Sequence, residues 1–165
     1  MRRASASDAP ECARIHVRSW RAGYRGILPD DYLESLTAAD RLPWWEHQLG
    51  GTGDPDLEVF VAENDDGSVR GFASACASGV DAVGQIAQLY VDPEVWGAGL
   101  SGDLLTVATA SLKARGFDVA TLSVARDNAR ARRFYEREGW RATGIETTEE
   151  LWGVVMVAVA YRREL

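Results

Sequence analysis

The sequence is poor in the residues that build metal centres and disulfide frameworks. Among 165 residues it has two cysteines, Cys12 and Cys76, and two histidines, with no paired spacing among them. Zinc sites and redox motifs place such residues in close pairs. We therefore expect no metal site and two free thiols, as in a reducing compartment such as the cytoplasm.

Long apolar runs and clustered positive charge are also missing. No stretch approaches the roughly 18 apolar residues of a membrane span, and Arg2 and Arg3 lead into a polar segment rather than a signal-peptide core. The net charge of −7 has the wrong sign for a surface that binds phosphate backbones. We expect neither a membrane nor a nucleic acid as a partner, whereas a cationic small molecule is electrostatically compatible.

The length of 165 residues is sufficient for one folded domain, which we assign to residues 1–165. Two or three short helical pieces precede residue 57, and helical patterns return at 100–115 and 128–139. The predicted strands are an edge strand within 1–5, then 57–62, 69–78, 82–91, 119–124, 140–147 and 151–161. The helix between the strands at 82–91 and 119–124 makes these two parallel neighbours.

The segment LYVDPEVWGAGLSGDLL at 89–105 has an order of elements that suits an anion. An apolar strand leads into a turn with Gly97 and Gly99, and a helix pattern begins near Leu100. Glycines let the backbone curl around an anion, while the first amides of the helix and its dipole attract negative charge. Taken alone, the segment predicts either a phosphate cradle or a plain strand–turn–helix junction.

A second segment, NARARRFYEREGW at 128–140, predicts a short helix that ends at Gly139. Tyr135 follows Asn128 by seven residues, which is two helical turns. Both side chains therefore project from one face of the helix.

Together the two segments resemble the paired signature of the GNAT superfamily of N-acetyltransferases, and HVRSWRAGYRGILPDDYL at 16–33 resembles a subgroup of small bacterial members. The similarity covers nearly the whole chain. It implies a single α+β domain with a mostly antiparallel, twisted sheet of about seven strands, a parallel splayed pair at the cofactor site and about four flanking helices. It also implies transfer of an acetyl group from acetyl-CoA to the primary amine of a small molecule by direct attack.

The resemblance assigns a donor site and two catalytic groups. The implied donor site consists of Leu89, Tyr90, Val91, Trp96, Gly97, Ala98, Gly99, Leu100, Ser101, Gly102, Asn128 and Tyr135. The backbone of Leu89 and Val91 would pair with the pantetheine arm, and the Val91 amide would donate to the carbonyl oxygen as it gains charge. The amides from Gly97 to Gly102 would hold the pyrophosphate. Tyr135 would protonate the leaving thiolate, or would be only an aromatic cap of the core.

Two loop residues depart from the family pattern. Trp96 stands where Gln or Arg is usual, and Ser101 stands where Gly or Ala is usual. Because this loop acts through backbone amides, donor binding is expected to survive. Trp96 is interpreted either as a packing residue beside the loop or as a contact to the nucleotide.

The general base and the acceptor site are less defined. Gln85 occupies the position of a glutamate that takes the amine proton in many members, and an amide has no useful basicity. The other candidates for a base are His16, Asp31, Glu34, Glu63 and Glu150, unless water carries the proton away. Trp20, Tyr24 and Trp152 are expected at the acceptor wall, with Asp31 or Glu150 facing a cation, although packing and solvated surface explain these residues equally well.

Two other functions fit the same motifs. A protein N-terminal or lysine acetyltransferase needs a groove that is open at both ends. A CoA-binding regulatory module with little catalysis would explain the departures at Gln85, Trp96 and Ser101. The apolar last strands also make a homodimer plausible.

Overall fold

One mixed sheet organises the computed structural model, which describes residues 1–151 and 153–165 apart from the side chains at 149 and 151. Its strands are β1 (Arg2–Arg3), β2 (Glu58–Glu63), β3 (Val69–Ala77), β4 (Val83–Val91), β5 (Val119–Ala125), β6 (Arg141–Leu151) and β7 (Val154–Glu164). They lie in the spatial order β1-β2-β3-β4-β5-β7-β6. The predicted sheet of about seven strands is confirmed, and the apolar strand β7 lies inside it as expected.

Five α-helices, rather than about four, occur in the described residues. They are α1 (Ala9–Gly23), α2 (Asp30–Ser35), α3 (Ala38–Leu49), α4 (Leu100–Ala114) and α5 (Ala129–Arg137). Two 3-10 turns, at Ala6–Asp8 and Pro93–Val95, precede α1 and follow β4. Across the described ranges, no helix combines the length and the apolarity needed to cross a membrane.

The only parallel pairing between described strands joins β4 to β5, and it is short. Val83, Gly84 and Gln85 pair with 119–121, whereas β5 continues to Ala125 against β7 in antiparallel register. The rest of β4 remains paired with β3. The two central strands therefore diverge after Gln85, as the splayed pair of the prediction requires, and a gap opens between them.

The core lies on both faces of this sheet. On one face α4 presents Leu104, Ala108 and Leu112, spaced four residues apart, to a cluster that includes Ile86. On the other face α1 and α3 cover β2 and β3, with Trp45 packed edge-on against Phe72 at 4.6 Å between ring centroids. The helices thus fix β4 from both sides up to the point where it leaves β5.

The buried carboxylate of Asp8 makes stability depend on acidity. Arg2 donates hydrogen bonds of 2.7 and 2.8 Å to its two oxygens, and the Ser5 amide donates one of 2.7 Å. The Arg2 bonds lower the pKa of Asp8 from 3.8 to about 2. Because the folded pKa lies below the unfolded one, this stabilisation is complete above about pH 4 and is lost as the pH falls towards 2.

We expect Asp8→Asn to lower the free energy of unfolding by about 1–2 kcal/mol at pH 6 and by much less at pH 2.5. Urea denaturation of both proteins at the two pH values measures the difference. The same loss at both values would contradict the ion-pair explanation.

Candidate active site

A cleft of about 560 Å³ opens where β4 and β5 diverge. Its described walls are the end of α1, the second half of β4, the loop into α4, the middle of β5, and α5. Most of the predicted donor residues meet here. The predicted residues that line the cleft are Tyr24, Leu89, Tyr90, Val91, Trp96, Gly97, Gly99, Leu100, Ser101, Gly102, Asn128 and Tyr135.

The edge of β4 that faces the gap carries backbone groups suited to an extended ligand. The Asp92 amide donates to the Arg70 carbonyl on β3 at 2.8 Å. Since the amides of successive residues in a strand point to opposite sides, the N–H groups of Leu89 and Val91 point away from β3, towards β5. An elongated group in the gap can therefore pair with β4 as an added strand would.

The loop after β4 reverses direction at two glycines. Gly97 has φ +90° and Gly99 has φ +87°, a left-handed conformation that side chains rarely adopt, and open space lies where a Cβ would stand. Gly99 is also the N-cap of α4. The Gly102 amide donates to the Gly99 carbonyl at 2.9 Å, so it is already engaged inside the first turn. The Ala98 amide is engaged as well, because it donates to the Val95 carbonyl at 3.3 Å. Within the predicted range of 97 to 102, the amides other than those of Ala98 and Gly102 are the better candidate donors to an anion.

Helix α5 supplies the opposite wall. Asn128 caps the helix, because its side-chain oxygen accepts from the Ala131 amide at 3.0 Å, and its NH2 group is the part that can donate to a ligand. Two turns later Tyr135 is half-buried beside Phe134 and Trp140, with ring centroids at 5.0 and 6.1 Å. Burial raises the pKa of Tyr135 well above its usual 10, and the nearby Tyr90 raises it further. The phenol is therefore protonated at neutral pH.

The charge of the α5 wall is opposite to that of the whole chain. Arg130, Arg133 and Arg137 line the cleft, together with the single carboxylate of Glu138 on that wall. The net charge of the protein is −7. A local positive wall in an acidic protein favours an anionic ligand on this side of the cleft.

Tyr90 forms the floor on the side of α1. Its hydroxyl accepts a hydrogen bond of 2.9 Å from Trp20, and its ring stacks on His16 with centroids 4.8 Å apart. Trp20, expected at the acceptor wall, is 1% exposed and lies behind Tyr90 in the core. Tyr24 does line the cleft, and its ring lies 4.7 Å from that of Trp20.

Several other expected residues lie outside the described lining. Ala98 is in the loop, Asp31 is exposed on α2, Glu150 is exposed on β6, and Trp152 lies outside the described residues. Gln85 is the last residue of β4 that pairs with β5, opposite Thr121. The described lining therefore does not include Asp31, Gln85 or Glu150, which were expected near the acceptor.

The remaining candidates for a base are also held elsewhere. Burial, with a contribution from Arg41, lowers the pKa of His16 to about 3, so this imidazole is a weak base. Glu63 pairs with Arg2 at 2.6 Å on β2, and Glu34 is exposed on α2. Neither side chain belongs to the described cleft lining.

The structure adds lining residues that the sequence analysis missed. Gln88 lines the cleft and accepts a hydrogen bond of 3.2 Å from Ser74, whereas the sequence indicates Gln85 for this part of the strand. A β-bulge lies between them, because Gln88 pairs with Ser74 while Ile86 pairs with the next residue, Ala75. The bulge changes which residues face the cleft, and no local sequence pattern predicts it.

The cleft and its mixed sheet define an α+β protein with a gap between two splayed parallel strands and a glycine turn after the first of them, and comparisons give this class a family. The model of the acetyltransferase (GNAT) family matches residues 14–140. The chain belongs to this family. The family predicted from the two motifs is thereby confirmed.

Individual relatives agree with the assignment. YuaI, an uncharacterized N-acetyltransferase of Bacillus subtilis, is 41% identical over 75 residues, which are 45% of this chain and 39% of that protein. An uncharacterized N-acetyltransferase of Archaeoglobus fulgidus is 32% identical over 146 residues, 86% of this chain and 92% of the relative. The fold matches that of PaiA N-acetyltransferase from Thermoplasma acidophilum in complex with coenzyme A, with a TM-score of 0.70 and 20% identity over 99% and 97% of the two chains.

Proposed function

We propose that this protein transfers an acetyl group from acetyl-CoA to the primary amine of a small cationic molecule. The observation that carries the proposal is the convergence of the loop amides, Asn128 and Tyr135 on the gap between β4 and β5. Membership of the family supports the donor, as does the coenzyme A bound to the PaiA structure. Acetyl-CoA supplies an activated thioester carbonyl.

The residues fit the shape and charge of such a donor. Because the strands diverge, the amides of Leu89 and Val91 point into the gap. In our proposal the pantetheine arm lies extended in this gap and accepts hydrogen bonds from them. The turn at Gly97 and Gly99 has room for phosphoryl oxygens where side chains would stand. At the start of α4, the helix dipole adds partial positive charge.

Two groups serve the chemical step. The Val91 amide would donate to the carbonyl oxygen while the amine attacks, a contribution of about 2.7–4 kcal/mol for one well-placed donor. Tyr135 would give its phenolic proton to the thiolate that leaves. Burial keeps the phenol protonated at neutral pH, so a proton is available where the thiolate forms.

Proton removal from the amine is proposed to proceed through water. Gln88 lines the cleft on the same strand, and its amide can orient a water molecule or the acceptor but cannot take a proton. The acceptor therefore reacts from the neutral amine fraction. Turnover should therefore rise with pH until the acceptor amine is fully deprotonated.

The acceptor is proposed to be cationic because acidic side chains border the α2 side of the molecule. Asp30, Asp31 and Glu34 are exposed on α2, and Leu33 of that helix packs in one cluster with Met156 of β7. Glu150 is exposed on β6, opposite Val155. These carboxylates would attract a protonated amine without binding it specifically.

Calorimetry and thiol release test the proposal in that order. We expect acetyl-CoA to bind in the micromolar range, as donor substrates generally do, and a panel of small amines to release free thiol. The absence of heat at millimolar acetyl-CoA would refute the donor site. Release of thiol only with peptides bearing a free N-terminus or lysine would select a protein acetyltransferase, and binding without thiol release would select a regulatory module.

Location and assembly belong to the same proposal. Cys12 and Cys76 are free, as suits a protein of the reducing cytoplasm. Val155 on β7 is 64% exposed and would lie in the interface of a homodimer formed through the last strands. Light scattering across a dilution series measures that state directly.

A further inference from the structure

Trp96 and Arg130 join the two halves of the donor site. The guanidinium carbon of Arg130 lies 3.5 Å from the centroid of the Trp96 ring, and both residues line the cleft. Trp96 belongs to the loop after β4 and Arg130 to the first turn of α5. A cation over an indole face is attracted by the ring quadrupole and restricted in orientation.

The other edge of the same indole is fixed as well. Its Nε1–H donates to the Val91 carbonyl at 2.8 Å, and Ser19 of α1 donates to that carbonyl at 2.9 Å. The Trp96 ring therefore cannot swing away without breaking a hydrogen bond to the end of β4. Arg130 rests on a platform that is itself attached to the strand carrying the Val91 amide.

We propose that Trp96 is a positioning residue that holds Arg130 towards the pyrophosphate of the donor, so that Arg130 supplies the charge that the loop itself lacks. Trp96 immediately precedes Gly97, where the anion-binding turn begins, which places the guanidinium next to the phosphoryl groups rather than at the thioester. This inference rests on the proposed function, because it assumes a phosphorylated donor in the cleft.

Binding of CoA measured by calorimetry tests the pair. We expect Arg130→Gln to weaken binding of CoA about tenfold or more, since a charge-assisted bond to phosphate is lost. Arg133→Gln is the matched control: it removes the same charge from the same wall, at a residue that lies outside the Trp96 stack, and should have a clearly smaller effect. Equal losses in both variants would overturn the proposal in favour of general electrostatic attraction.

A double-mutant cycle tests the role of Trp96. Trp96→Phe keeps an aromatic face for Arg130 but loses the bond to the Val91 carbonyl, so its loss of CoA affinity should be clearly smaller than that of Trp96→Ala, which should lose nearly as much affinity as Arg130→Gln. The double variant Trp96→Ala/Arg130→Gln should be little worse than either single change. Additive losses would overturn the positioning role. Thermal unfolding of each variant identifies those that fold, and the comparison uses these.

The ligand 3′-dephospho-CoA distinguishes the phosphates. If Arg130 faces the pyrophosphate, Arg130→Gln weakens CoA and dephospho-CoA by the same factor. A loss confined to CoA would overturn that assignment. Failure of the wild-type protein to bind CoA would overturn both this inference and the proposed function, whereas normal binding of CoA by Arg130→Gln would overturn this inference alone.

Discussion

Tyr135→Phe is expected to lower kcat about 100-fold while the KM for acetyl-CoA stays within a few-fold of wild type. General acid catalysis by a positioned group contributes roughly 10²–10⁴-fold, and the substitution removes only the hydroxyl. The packing of the ring beside Phe134 and Trp140 is retained. Steady-state thiol release with the best amine of the panel measures both constants. An unchanged kcat would leave Tyr135 as an aromatic cap of the core.

Tyr161→Phe is the matched control for this experiment. Tyr161 is a fully buried phenol whose ring centroid lies 6.4 Å from that of Tyr135, outside the described cleft lining. Its hydroxyl donates to Glu136 at 2.9 Å and accepts from Arg132 at 3.1 Å. Loss of this hydroxyl should lower stability with little effect on kcat. A comparable fall in kcat for both variants would indicate a structural cause.

The pH dependence provides an independent measure of the same role. Burial raises the pKa of Tyr135 above 10, so its proton is retained to higher pH than that of an exposed phenol. The alkaline limb of kcat in the wild type should therefore begin above pH 10. In Tyr135→Phe that limb should disappear, whereas the acid limb, set by the amine, should remain.

The sequence predicted those local structures of the candidate donor site that depend on short segments. The glycine turn and the N-terminus of α4 follow from backbone rules that act within ten residues, and the spacing of Asn128 and Tyr135 follows from the helical repeat. The parallel pairing of β4 with β5 follows from the helix between them. Each of these expectations concerned neighbours in sequence or one crossover.

The parts that could not be predicted depend on contacts between distant segments. The bulge that separates Gln85 from Gln88 depends on the register against Ser74 of β3. Trp20 looked like an accessible aromatic because its burial depends on Tyr90, which is 70 residues away. The stack of Arg130 on Trp96 joins the first turn of α5 to the loop after β4 across the gap. Periodicity within one segment carries no information about such pairs.

Asp92→Ala is expected to lower the free energy of unfolding by roughly 2 kcal/mol, because it removes a buried carboxylate that accepts hydrogen bonds from charged groups. Asp92 is fully buried just after β4. It pairs with Arg14 at 3.0 Å and Arg18 at 3.2 Å, both on α1, and accepts from the Glu94 amide at 3.1 Å. Urea denaturation at neutral pH measures the loss.

Glu94→Ala is the control that distinguishes the effect of burial from the effect of ion pairing alone. Like Asp92, Glu94 pairs with Arg18, at 2.7 Å, and it also pairs with Arg70 at 3.0 Å. Its side chain is 58% exposed, so solvent screens these pairs and the expected loss is below about 1 kcal/mol. Similar losses for Asp92→Ala and Glu94→Ala would contradict the importance of burial. Asp92→Asn should fall between them, because an amide oxygen can still accept from the Glu94 amide.

The position of Asp92 links this stability to catalysis. It follows Val91, whose carbonyl is held by Ser19 of α1 and by Trp96. The ion pairs of this buried carboxylate therefore fix α1 against the same end of β4 that presents the Val91 amide to the cleft. In Asp92→Asn, kcat should fall more than the affinity for CoA, because the amide proposed to stabilise the carbonyl requires tighter alignment than the loop proposed to hold the phosphates. An equal fall in both would mean that the whole cleft loosens as one unit.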